Sequence, residues 1–322
     1  MLGLKWKRRK QVYFGIEMLE HACVPSLLLR PHIHRGYRPL HQPHIYYWSS
    51  IFGINVWTHL VPFIIIVCGY LLPEWRCTEP SSTLILLYIG VAALLGCSTL
   101  AHLMHSRSHV EHFFWWTVDF SGIAIWMVVT GMVAWMVADD KGRPFDVMYP
   151  LILVLLAGIQ FFSTAYLFIA YPEWPARHLI RMLTCTSVAI WVNAPIAYGL
   201  LRALFTWEFT TSQLLHWRSI AWLAASGVFM GGNVPERWFP GRFDLLGYGH
   251  QFFHLCINMV NWNLIEATKV DLETRHGVPS QQRVEAMKWV MVVWLAIVVG
   301  VNIYLLKLTH TLHAHRDKQE KE

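Results

Sequence analysis

Hydrophobic and polar residues alternate along this chain on the scale of whole helices. Eight long apolar runs, each close to the ~20 residues that a helix needs to cross a bilayer, are separated by charges, Gly or Pro. The strands of a transmembrane barrel would be about half as long and would alternate in polarity. The pattern therefore predicts an all-α fold, a polytopic transmembrane helix bundle. The runs are Val56–Leu72, Leu84–His102, Phe113–Val137, Val147–Ala170, Leu179–Leu201, Leu214–Met230, Leu246–Leu264 and Met287–Leu306.

Polar segments on either side of the runs divide the chain into four parts. We predict a cytoplasmic N-terminal and juxtamembrane segment at 1–50 and a core of seven helices at 51–266. A polar loop with the eighth span follows at 267–308, and a charged cytoplasmic tail occupies 309–322. The N-terminus lacks a compact apolar stretch with a small-residue cleavage site, so no signal peptide is expected.

The composition excludes several classes of protein. Hydrophobic residues make up 55% of the chain and charged residues only 14%, whereas soluble domains carry about 25% charged residues. A soluble enzyme and a disordered regulator are therefore poor interpretations. The six cysteines form no CxxC pair, which argues against a disulfide scaffold. The net charge of +6 comes from Lys and Arg near the N-terminus and at loop ends, so membrane topology explains it better than nucleic-acid binding.

The distribution of positive charge predicts an orientation. If all eight runs cross the membrane, 17 of the 26 Lys and Arg residues fall on the side of the N-terminus. Cytoplasmic loops carry the excess of positive residues in membrane proteins. Both termini are therefore predicted to be cytoplasmic, and we expect the plasma membrane rather than an internal membrane.

Four ionisable residues lie inside the apolar runs, where such groups are costly and mark functional sites. His102 ends the second run, Asp119 lies near the start of the third, and His250 and His254 open the seventh. The second run ends, and the third and seventh begin, on the cytoplasmic side of the predicted topology. The four side chains therefore share one depth, in the cytoplasmic leaflet.

The spacing of these residues suits a metal. His250 and His254 lie one above the other on a helix face, as two ligands of one ion must. With His102 they make three imidazoles, which is the open tetrahedral arrangement of a catalytic zinc, and Asp119 could orient a histidine or a bound water. The alternative is that each histidine makes an ordinary hydrogen bond between helices, because the HxxxH spacing arises easily by chance among 18 histidines.

Other histidines are predicted to have lesser roles. His105, His109 and His112 fall in the short loop after the second run, where we expect solvated or headgroup-facing side chains. His59 lies at the start of the first run, and the sequence leaves its role open.

Four stretches of the chain form recognisable motifs. The longest is Pro235–Asp244, with the sequence PERWFPGRFD, which leads into His250 and His254. The shorter ones are Asn55–Leu60, Ser98 with His102, and Asp119–Ala124. Together these stretches resemble the progestin and adipoQ receptor family. The resemblance extends over roughly two-thirds of the chain, from about Gly36 to His254. An Asn-Glu pair that usually precedes the first motif is missing from Ser50–Asn55.

The resemblance implies seven core helices with a cytoplasmic N-terminus and zinc held by His102, His250 and His254. It also implies that Asp119 is near a zinc-bound water and that Ser98 is close to the metal. The eighth span resembles the membrane progestin receptor branch, whereas the Asp-Phe-Ser-Gly motif that begins at Asp119 resembles the adiponectin receptor branch.

Two functions from different classes follow. The first is a membrane receptor that binds a steroid or another lipid and acts on a cytoplasmic signalling partner. The second is a zinc-dependent lipid amide hydrolase, because the alkaline ceramidases share the Ser-xxx-His, Asp and His-xxx-His pattern. In that case Asp119 would take a proton from a water and pass it to the leaving amine. A purely structural zinc, closed by a fourth ligand, is a further alternative.

Overall fold

The computed structural model describes residues 10–13, 16–25, 28–39, 41–49, 53–138, 148–274 and 280–319. Over these residues the chain is a bundle of long helices with a small sheet at one end, so the predicted all-α membrane fold is confirmed. The predicted start of the fourth run at Val147 and the last residues of the tail lie outside the described residues. The helices are α1 (His44–Ser49), α2 (Ile54–Trp75), α3 (Ser82–Met104), α4 (His109–Val137), α5 (Met148–Ala170), α6 (Ala176–Val192), α7 (Ala194–Thr206), α8 (Thr211–Gly232), α9 (Gly249–Thr274) and α10 (Gln281–Gln319).

The helices differ in how well they suit a bilayer. Among the described residues, α2, α3, α4, α5 and α10 are long and apolar enough to cross a membrane, and the pair α6 and α7 would make a sixth span. The helices α8 and α9 are long enough but less apolar, because they carry buried His, Asn, Ser and Asp side chains. The count of eight spans therefore remains a prediction.

The fifth predicted run, Leu179–Leu201, is not one straight helix. The helices α6 and α7 meet at an angle of 77°. Pro195 stands in the first turn of α7, where it has no N–H to donate and its ring would clash with a carbonyl one turn earlier. The Asn193 side chain donates instead to the carbonyl of Ala189 (2.8 Å) and ends α6.

The N-terminal segment contains a three-stranded antiparallel sheet that the sequence analysis did not predict. Its strands are β1 (Lys10–Tyr13), β2 (Ile16–Glu20) and β3 (Arg35–Tyr37), in the order β1-β2-β3. The strands are short and lack a clear alternation of apolar and polar residues. Tyr37 packs with Tyr248 in a small buried cluster, which holds the sheet against the loop between α8 and α9.

Two helix contacts determine the shape of the bundle near the predicted site. At Gly122 on α4 an added Cβ would lie 2.7 Å from Cys97 Cβ and 3.0 Å from the Ala93 carbonyl oxygen on α3. Only glycine permits so close an approach of the two helices. At the other contact, α10 lies along α4 and α5 and buries Trp294 completely.

Candidate metal centre

The structure brings His102, His250 and His254 together. The Nε2 atom of His250 lies 3.3 Å from that of His102 and 3.0 Å from that of His254. Nitrogen ligands at the usual zinc distance of 2.0–2.1 Å in a tetrahedral site are about 3.3 Å apart. The three imidazoles are therefore spaced as the ligands of one ion would be, at the last turn of α3 and the first turns of α9.

In His254 and His250, the contact made by Nδ1 determines which ring nitrogen carries the proton. The hydroxyl of Thr58 donates to the Asn55 carbonyl, so its oxygen is left to accept from Nδ1 of His254 (2.8 Å). Nδ1 of His250 faces the thioether sulfur of Met230 at 3.3 Å, and a thioether only accepts. Both imidazoles therefore hold their proton on Nδ1.

These tautomers leave a lone pair on Nε2 of His250 and of His254, and the two atoms are 3.0 Å apart. Two buried acceptors at that distance repel each other unless a cation or a proton lies between them. Ligating histidines usually donate their other N–H in this way, which orients the ring. The donor set therefore fits a divalent transition metal such as zinc.

His59 joins this group, although the sequence analysis left its role open. Its side chain is buried, its ring centroid lies 3.9 Å from that of His254, and neither of its nitrogens has a hydrogen-bond partner. Ring nitrogens of His59, His102 and His254 lie within 4.8 Å of one another. The depth argument applied to the other three would have found it, because the first run also begins on the cytoplasmic side.

A proline on α2 explains why α2 and α9 meet beside these histidines. Pro62 cannot donate to the carbonyl of Thr58, so that oxygen has no partner within its own helix. The Asn258 side chain of α9 donates to it instead (2.9 Å). This bond ties α9 to α2 one turn beyond His254.

The loop before α9 positions His250. Glu236 is buried and accepts a hydrogen bond from the Gly249 N–H (2.6 Å), which places a carboxylate at the N-terminus of α9. A Cβ at Gly249 would lie 2.7 Å from the carbonyl oxygens of Phe229 and Val234. The motif that carries the family resemblance therefore builds the start of the helix that bears two of the histidines.

Asp119 and Ser98 lie together on the other side of His102. The side chain of Ser98 lies close to the carboxylate of Asp119, and the Oδ1 atom of Asp119 is buried without a hydrogen-bond partner. Ser98 is one helical turn before His102 on α3. The described neighbours of Asp119 include Ser98 and Arg181, and a free carboxylate oxygen remains in the interior.

The prediction that the loop histidines are solvated was wrong. His109 and His112 are buried, and His105 is half-buried with its Nδ1 atom 3.4 Å from that of His112. The physical reason is aromatic packing, since the His112 ring lies 5.7 Å from that of Phe168. Burial also holds the pKa of His105, in the connection between α3 and α4, well below its ordinary value, so this side chain is neutral at pH 7.

The half-buried Arg38 completes the end of α3. The guanidinium of Arg38 donates to the carbonyl oxygens of His102 (2.7 Å) and Leu103 (2.5 Å), which have no partner within the helix. Burial lowers the pKa of Arg38 to about 10, which still leaves the group cationic at pH 7. A cation at this position also suits the negative end of the helix dipole.

Comparison with known proteins places the histidines in a family context. Residues 53–265 match the sequence profile described as Haemolysin-III related. Membrane progestin receptor beta of Mus musculus is 27% identical over 274 residues, which cover 79% of this chain and 76% of the receptor. Membrane progestin receptor alpha-B of Danio rerio is 26% identical over 78% of this chain and 75% of its own length. Human membrane progestin receptor alpha is 24% identical over 81% of this chain and 78% of its own length.

Proposed function

Because this chain belongs to the Haemolysin-III related family, which includes the progestin and adipoQ receptors, we propose that it is a zinc-containing membrane receptor for a steroid or another lipid. The apolar helices and the membrane progestin receptor relatives make it an integral, multi-pass membrane protein. The zinc site, the ligand and a cytoplasmic signalling partner are the proposed parts. We also propose that the site lies in the cytoplasmic leaflet of the plasma membrane.

The spacing of the Nε2 atoms carries the zinc proposal. Two lone-pair nitrogens 3.0 Å apart, with a third 3.3 Å away, favour a bound cation. His102, His250 and His254 would hold the ion, and His59 is close enough to be a fourth ligand. A fourth histidine would close the site, and a closed site is structural rather than catalytic. This point favours the receptor over the hydrolase.

The steroid or lipid ligand is proposed from the relatives. The three relatives compared above are named membrane progestin receptors. An apolar bundle that spans the bilayer suits a ligand that dissolves in the membrane. Binding of tritiated progesterone to the purified, zinc-loaded chain would test this part, and no saturable binding of any steroid would limit the proposal to another lipid.

The free oxygen of Asp119 supports a second candidate, a lipid amide hydrolase of the ceramidase type. When bound, zinc would supply a Lewis acid and a water of lowered pKa. Ser98 lies close enough to orient the Asp119 carboxylate, and the free Oδ1 atom would accept and return a proton. Release of fatty acid from labelled ceramide by the purified protein would favour this candidate.

Metal analysis tests the core of the proposal. Purified protein should contain about one zinc per chain, since neutral imidazoles are the ligands that zinc prefers. His102→Ala, His250→Ala and His254→Ala should each lower the zinc content, whereas His44→Ala, on the exposed end of α1, should not. Wild-type protein without a stoichiometric transition metal would contradict the proposal.

A further inference from the structure

A cavity of about 180 Å³ lies between the N-terminal segment and the last turn of α3. Its described walls carry three arginines but one carboxylate, that of Asp244. Arg38 donates to the carbonyls of α3, whereas Arg30 donates through Nη1 to the hydroxyl of Tyr248 (2.5 Å) and Arg35 is exposed at the rim. The cavity therefore has a net positive charge, and its walls come from the N-terminal segment, the start of α2, the end of α3 and the loop before α9.

Polar atoms without partners line the same cavity. Ser106 is buried with its hydroxyl unpaired, and Oδ1 of Asn55 and Oδ2 of Asp244 are buried acceptors without a donor. Buried polar groups are nearly always hydrogen-bonded in proteins, so each of these atoms needs a partner. Together with the arginines they offer donors for an oxyanion and acceptors for hydroxyl groups.

We propose that this cavity binds a phosphorylated polyol, such as an inositol phosphate. The guanidinium groups of Arg30 and Arg35 would bind phosphate oxygens, because their planar N–H pairs match that geometry. Asn55 and Asp244 would accept hydrogen bonds from ring hydroxyls. A cavity of about 180 Å³ holds one small ring, and phosphates on that ring would extend to the exposed Arg35 at the rim. The same chemistry occurs in a lipid headgroup and in a free cytosolic phosphate.

This ligand is distinct from the steroid or lipid of the proposed function. His250 and His254 do not line the cavity, whereas His102 forms part of its wall. The unpaired Nδ1 atom of His102 is on the opposite side of the ring from the Nε2 atom that faces His250. A bound polyol phosphate would therefore contact a metal-binding side chain without replacing the metal.

Binding of inositol 1,4,5-trisphosphate to the purified full chain tests the proposal. We expect saturable binding that Arg30→Gln and Arg35→Gln each weaken about 10-fold or more, the usual effect of losing a charge-assisted hydrogen bond. Arg76→Gln, exposed at the far end of α2, is the matched control and should leave binding unchanged. Equal binding of inorganic phosphate, or binding that neither variant weakens, would overturn the proposal.

Two further measurements identify the source of the ligand and separate this site from zinc binding. The first uses phosphatidylcholine nanodiscs that contain phosphatidylinositol 4,5-bisphosphate. The chain should bind this lipid in an Arg35-dependent manner if the ligand is a headgroup, and it should not bind the lipid if the ligand is a free phosphate. Absence of binding in both formats would overturn the proposal. Arg35→Gln should keep its zinc, and His254→Ala should keep its affinity for the trisphosphate, so the two sites can fail independently.

Discussion

At the scale of single residues, the groups behind the histidines matter as much as the histidines. Thr58 accepts from Nδ1 of His254 because its own proton goes to the Asn55 carbonyl. Met230 occupies the corresponding place behind His250. The spacing of histidines in the sequence carries no information on these partners, since they come from other helices.

Replacing Thr58 by Val tests this arrangement. The change keeps the shape of the side chain but removes the hydroxyl, so the His254 ring loses the acceptor that orients it. Zinc affinity should fall by about 10- to 100-fold, the usual effect of losing such a partner. Competition with a chelator of known affinity measures the change. The matched control is Thr130→Val on α4, whose hydroxyl donates to backbone carbonyls of its own helix. Equal affinities in the two variants would contradict the assigned tautomer.

Asp119→Asn separates the two candidate functions. The amide keeps the size and hydrogen-bonding capacity of the carboxylate but cannot act as a base. If Asp119 moves a proton, zinc should remain while ceramide hydrolysis falls by the ~10²–10⁴ of a lost general acid–base group. If wild type and variant both hold zinc and release no fatty acid, the receptor without hydrolase activity is favoured. Unchanged hydrolysis in the folded variant would remove Asp119 from the mechanism.

At the scale of helices and strands, the sequence predicts the long elements well and their interruptions poorly. The apolar runs lie within helices because burial of whole turns dominates their pattern. The bend at Asn193 depends on one proline in an otherwise apolar run, and the sheet depends on contacts with a distant loop. The burial of His112 was missed for a related reason, since neighbouring helices build its environment, whereas the depth argument would have identified His59.

The contact of α3 with α4 connects helix packing to the site. Gly122→Ala would place a Cβ 2.7 Å from Cys97 Cβ and 3.0 Å from a backbone oxygen, which forces α4 away from α3. Overpacking of this kind costs about 1–3 kcal/mol. We therefore expect a lower midpoint of thermal unfolding for the detergent-purified protein. Since Ser98 and Asp119 come from these two helices, the distance between their side chains should also increase.

A glycine with open space gives the control. At Gly158 on α5 an added Cβ would meet only Trp294, at 3.9 Å. Gly158→Ala should leave the midpoint unchanged or raise it, because alanine favours the helix by about 1 kcal/mol. A Gly122→Ala protein as stable as the Gly158→Ala protein would show that the two helices are not held at this distance by glycine.

At the scale of the whole molecule, the contacts of α10 indicate where the two ends of the chain lie. The Arg283 guanidinium donates to the carbonyl of Trp135 (2.9 Å), near the end of α4. The His313 ring stacks on Phe113 at 4.0 Å, near the start of α4. The helix α10 is therefore antiparallel to α4, and residues 283–313 extend about 45 Å at 1.5 Å per residue. That length exceeds the hydrocarbon thickness of about 30 Å.

The N-terminal segment reaches the same end of the bundle. The His41 N–H donates to the carbonyl of Arg107 (2.9 Å), in the connection between α3 and α4, close to the Phe113 end of α4. If α4 crosses the membrane, His41 and His313 lie on one side and Arg283 on the other. This arrangement agrees with an even number of crossings, and the excess of positive residues predicts that the shared side is cytoplasmic.

Glycosylation mapping tests this topology in cells. Acceptor sites inserted after Leu2 and after Lys318 should both stay unmodified, because the glycosylation machinery acts on the luminal side. An acceptor inserted after Glu79, between α2 and α3, should be modified and serves as the positive control, with a spacer that carries it clear of the membrane. Modification at the C-terminal acceptor alone would mean that α10 does not cross. That result would conflict with the contacts that α10 makes with Trp135 and Phe113. These two residues lie at opposite ends of α4, so a helix that contacts both must cross the membrane if α4 does.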